Sequence, residues 1–417
     1  MIEVEVVETG PGRTYQLTNS QAGLLQQSKL VTVRLGVDGA WEVSGAGKVG
    51  VARIGDMVVR ARPKVSIHRL FYLLGYGRNL AWRDDLVPYD SAAGLVHVIA
   101  ESFARQADRA LGRGLIHGYV ERDDELAVVR GRLRSTEQVT RRFSQITPLL
   151  VRYDDFTPDV AENRILKAAS RVLHTLPDLD AQVRRQLRTI LDRLAAVTDL
   201  PFGAPLPTWR PNRRNTHYET SLWFADLVLR HHSVDLPPGS IEINGFMVDM
   251  PKVFEDFVTI ALSSSLEGID GHVVAQDPHT LDAAGRVQMN PDLVWHRGGQ
   301  PVAVIDAKYK AEKPAGYPNA DLYQLLAYCT ALGLPEGHLV YAKGAEDPAV
   351  HVVRRAGVRL VAHAVDLDQP TADLERDMSA LAGRIVLATR TNRADPDPIE
   401  RGPSIDPTAG TAPPSCE

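Results

Sequence analysis

The chain places Asn290-Pro291-Asp292-Leu293-Val294-Trp295 shortly before Val302-Ala303-Val304-Ile305-Asp306-Ala307-Lys308-Tyr309-Lys310, and that pair of runs limits how it can fold. Both runs are apolar and β-branched at their centres, as buried strands are, yet each carries a carboxylate. In a strand, residues i and i+2 point to one face, so Asp306 and Lys308 share a face. An adjacent strand can bring Asp292 beside them. Two carboxylates and one ammonium on a sheet surface make a candidate divalent-cation site with a basic partner, equipment suited to hydrolysing a phosphodiester. The bland alternative is an Asp306–Lys308 ion pair on an edge strand. Flanking Val302, Val304 and Ile305 point instead to a central strand.

With 417 residues, two or three domains are expected at roughly 100–200 residues each. Period-two and β-branched runs separated by glycines predict short strands through residue 65, including 30–35 and 57–61. Helical spacing predicts helices over 66–76, 91–111, 159–176, 178–197 and 216–232. Tyr119-Val120-Glu121 and Leu126-Ala127-Val128-Val129 read as a hairpin around an acidic turn, Arg122-Asp123-Asp124-Glu125. Asp235-Leu236-Pro237-Pro238-Gly239 reads as a domain boundary. Beyond it the pattern predicts a helix at 251–266, strands at 271–276, 291–296 and 302–309, and a helix at 319–332. Strands follow at 338–342, 350–354 and 358–362, then a helix at 371–388. The division is therefore 1–235, a β-rich and helical region, then 236–390, an α/β domain, then 391–417, a Pro- and Gly-rich tail without periodicity that is expected to be disordered.

Several function classes drop out. Gly45-Ala46-Gly47-Lys48-Val49-Gly50 fits G-x-G-x-x-G literally, but a β pattern rather than a helix follows it, so it reads as a hairpin turn. A Walker loop fails because Lys48 precedes Val49, and no nucleotide-hydrolysing site is expected in this chain. The 13 histidines show no H-E-x-x-H spacing, and the two cysteines, Cys329 and Cys416, form no disulfide framework or metal-binding pair. No apolar run approaches the ~18 residues of a membrane span, and an acidic N-terminus argues against a signal peptide. A cytoplasmic protein without membrane contact is expected. The net charge of −5 argues against a chain-wide nucleic-acid surface. Two arginine clusters, at 130–152 and 184–214, read either as solvated faces or as surfaces for phosphate or an acidic partner.

The order of signals from 250 to 345 resembles the PD-(D/E)xK nuclease superfamily, whose core is helix, three strands, helix, strand. Pro291-Asp292 supplies the first acid, and Asp306-Ala307-Lys308 the second acid and the lysine. Glu255, within Val253-Phe254-Glu255-Asp256-Phe257-Val258, matches an acid often found upstream. Gln324 and Tyr328, at i and i+4 on one helical face, match a Q-x-x-x-Y element of a RecB-like subset. The resemblance implies Mg²⁺, with Mn²⁺ as the alternative ion, held by Asp292, Asp306, the Ala307 carbonyl and Glu255. Lys308 would then orient water or stabilise the transition state, and Gln324 would position substrate.

Arg62-Pro63-Lys64-Val65, Gly131-Arg132-Leu133, and Thr157-Pro158-Asp159 leading to Asn163-Arg164-Ile165-Leu166-Lys167 narrow the resemblance to the McrC family. Together with the nuclease pattern it spans about residues 1–390. It implies the nuclease subunit of a modification-dependent (5-methylcytosine) restriction system used in antiviral defence. The expected partners are DNA and McrB, a GTP-hydrolysing AAA+ ring onto which the N-terminal half docks. Pairing of two complexes would serve double-strand cleavage. Two other readings compete: a self-sufficient repair or recombination nuclease, and a non-catalytic adaptor of an AAA+ motor.

Overall fold

The structure is a computed structural model that describes residues 1–36, 38–76, 94–142, 145, 147–201, 204–232, 243–267, 269–311, 319–343 and 348–394. It is a mixed α/β protein of two compact units, Met1–Phe257 and Val258 onward. The expected boundary segment 235–239 and the tail beyond 394 lie outside the described residues.

In the first unit, a four-stranded sheet runs in the order Ile2–Val7, Met57–Arg62, Lys48–Ile54, Ile243–Asp249. The last strand explains why the division falls after 257 and not at 235. Ile243–Asp249 pairs antiparallel with Lys48–Ile54, and its Phe246 and Val248 are fully buried. A strand with such a face belongs with the sheet that buries it.

The glycines from 45 to 50 do not form a hairpin. Trp41–Gly45 belongs to a separate three-stranded sheet with Arg13–Tyr15 and Val31–Leu35, so the glycines turn a corner between two sheets. A Cβ on Gly45 would sit 2.1 Å from the Val7 carbonyl oxygen, and one on Gly50 2.0 Å from that of Phe246. Close backbone approach is what these positions require.

Helices Leu95–Leu111, Ala161–Thr175, Ala181–Arg193 and Glu219–His231 pack together through fully buried faces that include Phe103, Leu166, Leu187 and Phe224. The Thr157-Pro158-Asp159 segment enters the second of these as a polar lock. Asp159 accepts both guanidinium hydrogen bonds of Arg164 (2.8 and 2.6 Å) and two from Thr198, backbone and hydroxyl (both 2.7 Å). Arg164 first, and Thr198 with it, outweigh burial and hold the Asp159 carboxyl well below the usual carboxylate range. Asn163 donates to the carbonyls of Ile116 and Pro158 (2.8 and 2.7 Å), and Lys167 to that of Val197 (2.5 Å). Of the residues that carried the closer resemblance, Asp159, Asn163, Arg164 and Lys167 are therefore holding helices and loops together.

The expected acidic turn is instead the middle of a strand. Gly118–Leu126 pairs antiparallel with Leu149–Thr157 along its full length, in a three-stranded sheet with Arg132–Leu133. Five consecutive charged residues, 121–125, lie on this strand; Asp124 accepts from the Tyr153 hydroxyl and the others each meet an opposite charge. Asp123 pairs with Arg152 (2.7 Å) and Arg134 (3.2 Å), Glu125 with Arg142 (2.5 Å), and Arg122 with Asp155 (3.3 Å). Much of the first arginine cluster is thus spent on the chain's own carboxylates. In the second cluster, Arg184 donates to the carbonyls of His174, Leu176 and Leu179, closing the end of the preceding helix.

In the second unit, a six-stranded sheet runs in the order His272–Ala275, Leu293–Arg297, Gln300–Ala311, Glu336–Lys343, Arg359–Ala364, Ala349–Val352. The first three strands pair antiparallel, and Gln300–Ala311 pairs parallel with Glu336–Lys343 through the helix Asn319–Leu332. A parallel pair needs such a crossover. The helix buries Leu325, Tyr328 and Cys329 with Val294, Val304, Leu339 and Tyr341 of the sheet. The strand carrying Asp306 is interior, as its apolar flanks predict.

Candidate active site

Gln300–Ala311 positions the site because it is central and its residues alternate between two faces. Val304 and Ile305 are buried in the sheet, and Asp306 on the same strand is only 2% exposed. Two residues on, the Lys308 ammonium reaches back to 2.5 Å from Asp306 Oδ2. Leu293 pairs with Ile305, so Asp292, just before that strand, falls opposite Asp306. The Ala307 N–H donates to Asp292 Oδ2 at 2.8 Å. From the neighbouring strand end, the Gln276 backbone N–H donates to the Asp292 carbonyl (3.0 Å) and its side-chain amide to Asp292 Oδ1 (3.3 Å).

The crossover helix closes the other side. Gln324 donates to the Tyr328 hydroxyl (2.7 Å), and that hydroxyl donates to the Asn290 carbonyl at 3.5 Å. The i, i+4 pair therefore braces the turn that presents Asp292. On the same helix, buried Asp321 accepts from the Tyr341 hydroxyl (2.9 Å), and Tyr341 is the register partner of Lys308.

Charge within the cluster is unbalanced. Burial first, and then the negative charge of Asp306, push the Asp292 carboxyl up to about 6, against the opposing pull of the Ala307 N–H and Lys308. Burial would lower the Lys308 pKa. Asp306, chiefly, with Asp292 and Asp321 adding, outweighs it and holds the ammonium above its ordinary value. Burial and the Asp306 charge likewise raise the Tyr328 hydroxyl. Two carboxylates that resist sharing a partly buried site, with one lysine paired to Asp306, form a cluster of net negative charge suited to a cation.

Asp292, Asp306, Ala307 and Lys308 are thus brought together, with Gln324 joined to them through Tyr328 and Asn290. Glu255 lies on the helix Met250–Leu266 in the portion belonging to the first unit, where Lys252 pairs with it at 3.1 Å. Its place in the site is an expectation from sequence order alone. Gln276 and Asp321 contribute contacts that spacing did not reveal: Gln276 has no motif around it, and Asp321 reads in sequence as an ordinary acid in a helix's first turn. A second cluster, Asp277, His279 and His296, was also not legible, because its residues are spread over three local elements.

Three antiparallel strands, a crossover helix and a parallel strand form an α/β unit, with Asp306 and Lys308 on a central strand and Asp292 just before its neighbour. A family model described as "McrBC 5-methylcytosine restriction system component" matches residues 45–342, and the chain belongs to the McrBC family. The fold is similar to a chain of a half-complex from a tetradecameric assembly of Thermococcus gammatolerans McrB AAA+ hexamers with bound McrC. The TM-score is 0.61 at 18% identity, covering 92% of this chain and 100% of that one. A chain of the cryo-EM structure of the Thermococcus gammatolerans McrBC complex also matches, with a TM-score of 0.42 at 19% identity over 63% of this chain and 88% of that one. No curated protein sequence matches.

Proposed function

We propose that this chain is the McrC-type nuclease subunit of a modification-dependent restriction system, hydrolysing DNA phosphodiesters with Mg²⁺, or alternatively Mn²⁺, when assembled with a GTP-hydrolysing AAA+ ring. The observation that carries the reading is the convergence of Asp292, Ala307, Asp306 and Lys308, two hard-oxygen carboxylates and one ammonium in a half-buried, negatively charged cluster around buried Asp306. The donor set fits the ion. Mg²⁺ takes oxygen ligands, is satisfied by one or two carboxylates, and keeps several waters.

Asp292, Asp306 and the Ala307 carbonyl would hold the metal. A bound metal lowers the pKa of its water and neutralises charge on the scissile phosphate. Lys308 sits where an ammonium can orient the attacking water or stabilise charge developing on the phosphate oxygens. Gln324, through Tyr328 and Asn290, keeps the Asp292 turn in register, which matters because small misplacements of reacting groups cost rate. Membership of the McrBC family supports the 5-methylcytosine context, with recognition of the modified base assigned to the partner.

The Thermococcus chain is described with McrB AAA+ hexamers. Fold likeness supports a similar ring as the partner of this chain, docked through its first unit. The tetradecameric description supports pairing of two complexes for double-strand cleavage. Among the described residues no helix is long and apolar enough to cross a membrane.

The test is to incubate the chain with its cognate ring, methylated and unmethylated plasmid, GTP and Mg²⁺, with and without EDTA. Cleavage of methylated DNA that needs ring, GTP and Mg²⁺ is expected. Cleavage by the chain alone would replace this reading with the self-sufficient nuclease. Stimulated GTP hydrolysis without any cleavage would replace it with the adaptor.

A further inference from the structure

Beside the Asp292 turn lies a second group of converging side chains that the proposed chemistry does not use. Asp277 Oδ2 is 2.8 Å from His279 Nε2 and 2.8 Å from His296 Nε2. One ligand atom from each of the three lies within 4.8 Å of the others. The side chains are mostly enclosed, with exposures of 16% for Asp277, 26% for His279 and 14% for His296. They come from separate pieces of chain: His296 from the strand Leu293–Arg297, His279 from the two-residue strand His279–Thr280, and Asp277 from the link before it.

We propose that Asp277, His279 and His296 bind a single transition-metal ion of the Zn²⁺ type, distinct from any ion held by Asp292 and Asp306. The donor chemistry decides the class. Two imidazole nitrogens and one carboxylate oxygen suit Zn²⁺ and its borderline relatives, whereas Mg²⁺ prefers oxygen alone. Three protein ligands leave a fourth tetrahedral position for water.

The spacing fits a small adjustment. Ligand atoms about 2.0–2.1 Å from a tetrahedral ion are roughly 3.4 Å apart, so the two 2.8 Å contacts would open by about half an ångström. In the metal-bound form each imidazole would present its Nε2 lone pair to the ion and carry its one hydrogen on Nδ1. The His296 ring is already oriented by His272, stacked on it at 5.3 Å and 17°.

The position gives the ion a mechanical consequence. The hairpin His279–Thr280 with Gln288–Met289 leads directly into Asn290-Pro291-Asp292. Gln276, with the left-handed φ of 50° that lets successive side chains diverge, hydrogen-bonds Asp292 while Asp277 turns to the histidines. An ion clipping Asp277 and His279 to the strand of His296 fixes both ends of the segment that presents Asp292. The site does not depend on the nuclease reading, because metal binding is measurable without cleavage.

The test uses the full chain stripped with EDTA, dialysed, and titrated with Co²⁺ and then Zn²⁺. The readouts are the visible Co²⁺ absorption, metal content per chain, and thermal melting. One Co²⁺ per chain with a ligand-field spectrum, displaced by Zn²⁺ with a rise in melting temperature, is expected for Asp292→Asn, and the same spectrum and displacement for the wild type. His279→Ala and Asp277→Asn should each weaken Co²⁺ binding by more than tenfold and lose the Zn²⁺-dependent rise. His279 is the most exposed of the three and so the least disruptive to replace. Absence of binding by wild type would overturn the proposal, as would undiminished binding by both variants. Loss of binding in Asp292→Asn would overturn the claim of a distinct site.

Discussion

Two Pro-Asp dipeptides with opposite surroundings divide the labour of this molecule. Asp159, after Pro158, is enclosed by donors: Arg164 gives two hydrogen bonds and Thr198 two more. Asp292, after Pro291, receives hydrogen bonds from Ala307 and Gln276 but also faces a second buried carboxylate, Asp306. The first carboxyl is pulled well below its ordinary range and the second is pushed up to about 6. A buried acid whose acceptors are filled holds structure. A half-buried acid set against another acid is kept at a cost, and such unbalanced sites are where chemistry is found.

The largest effect that could break this comparison is on rate. Lys308→Ala should cut DNA cleavage by the assembled complex by roughly 10²–10³-fold, the order expected for losing one charge-stabilising group, with the fold intact by circular dichroism. Near-normal cleavage would make Lys308 an ordinary ion-pair partner of Asp306. The next largest is on stability. Asp159→Ala should cost about 2–3 kcal/mol in denaturant unfolding, because it strips the charged partner from Arg164 and an acceptor from Thr198. A cost below about 0.5 kcal/mol would deny Asp159 its locking role.

pH sharpens the contrast, since the two aspartates act in opposite directions. The folded-state pKa of Asp292 is raised, so its contribution is fully present below the unfolded value near 4 and is lost as pH rises through about 6. That of Asp159 is depressed, so its contribution is present above about 4 and is lost as pH falls toward its folded value. In metal-free protein, Asp292→Asn should raise the melting temperature more at pH 7.5 than at pH 5. The loss from Asp159→Asn should be nearly equal at both, and equal pH responses of the two variants would refute the assignment. The smallest effect belongs to the exposed charge pairs of the three-stranded sheet. Arg152→Ala should leave the melting temperature within about 2 °C of wild type, because solvent screens such pairs.

Much of this was legible in the sequence where apolar periodicity ran long. The helix predicted over 319–332 is Asn319–Leu332, and the Asp306 strand is central as Val304 and Ile305 required. The i, i+2 rule also placed Asp306 and Lys308 together. The misreadings share a cause: local patterns cannot see partners far along the chain. Asp123 and Asp124 looked like a turn because the arginines that permit a strand lie at 134–152. The glycines at 45 and 50 looked like a hairpin because Val7 and Phe246, which demand them, are distant in sequence. That Ile243–Asp249 pairs with Lys48–Ile54 was invisible for the same reason. Gln276, Asp277, His279 and His296 meet only once the strands are paired, and no spacing announces them.

The central claim is that Asp306 belongs to a cleavage centre and not to the fold's support. It is tested most directly by reconstituting Asp306→Asn with the cognate ring and measuring DNA cleavage and GTP hydrolysis in the same reaction. Loss of cleavage with GTP hydrolysis retained is the predicted result. Cleavage retained at the wild-type rate would contradict it.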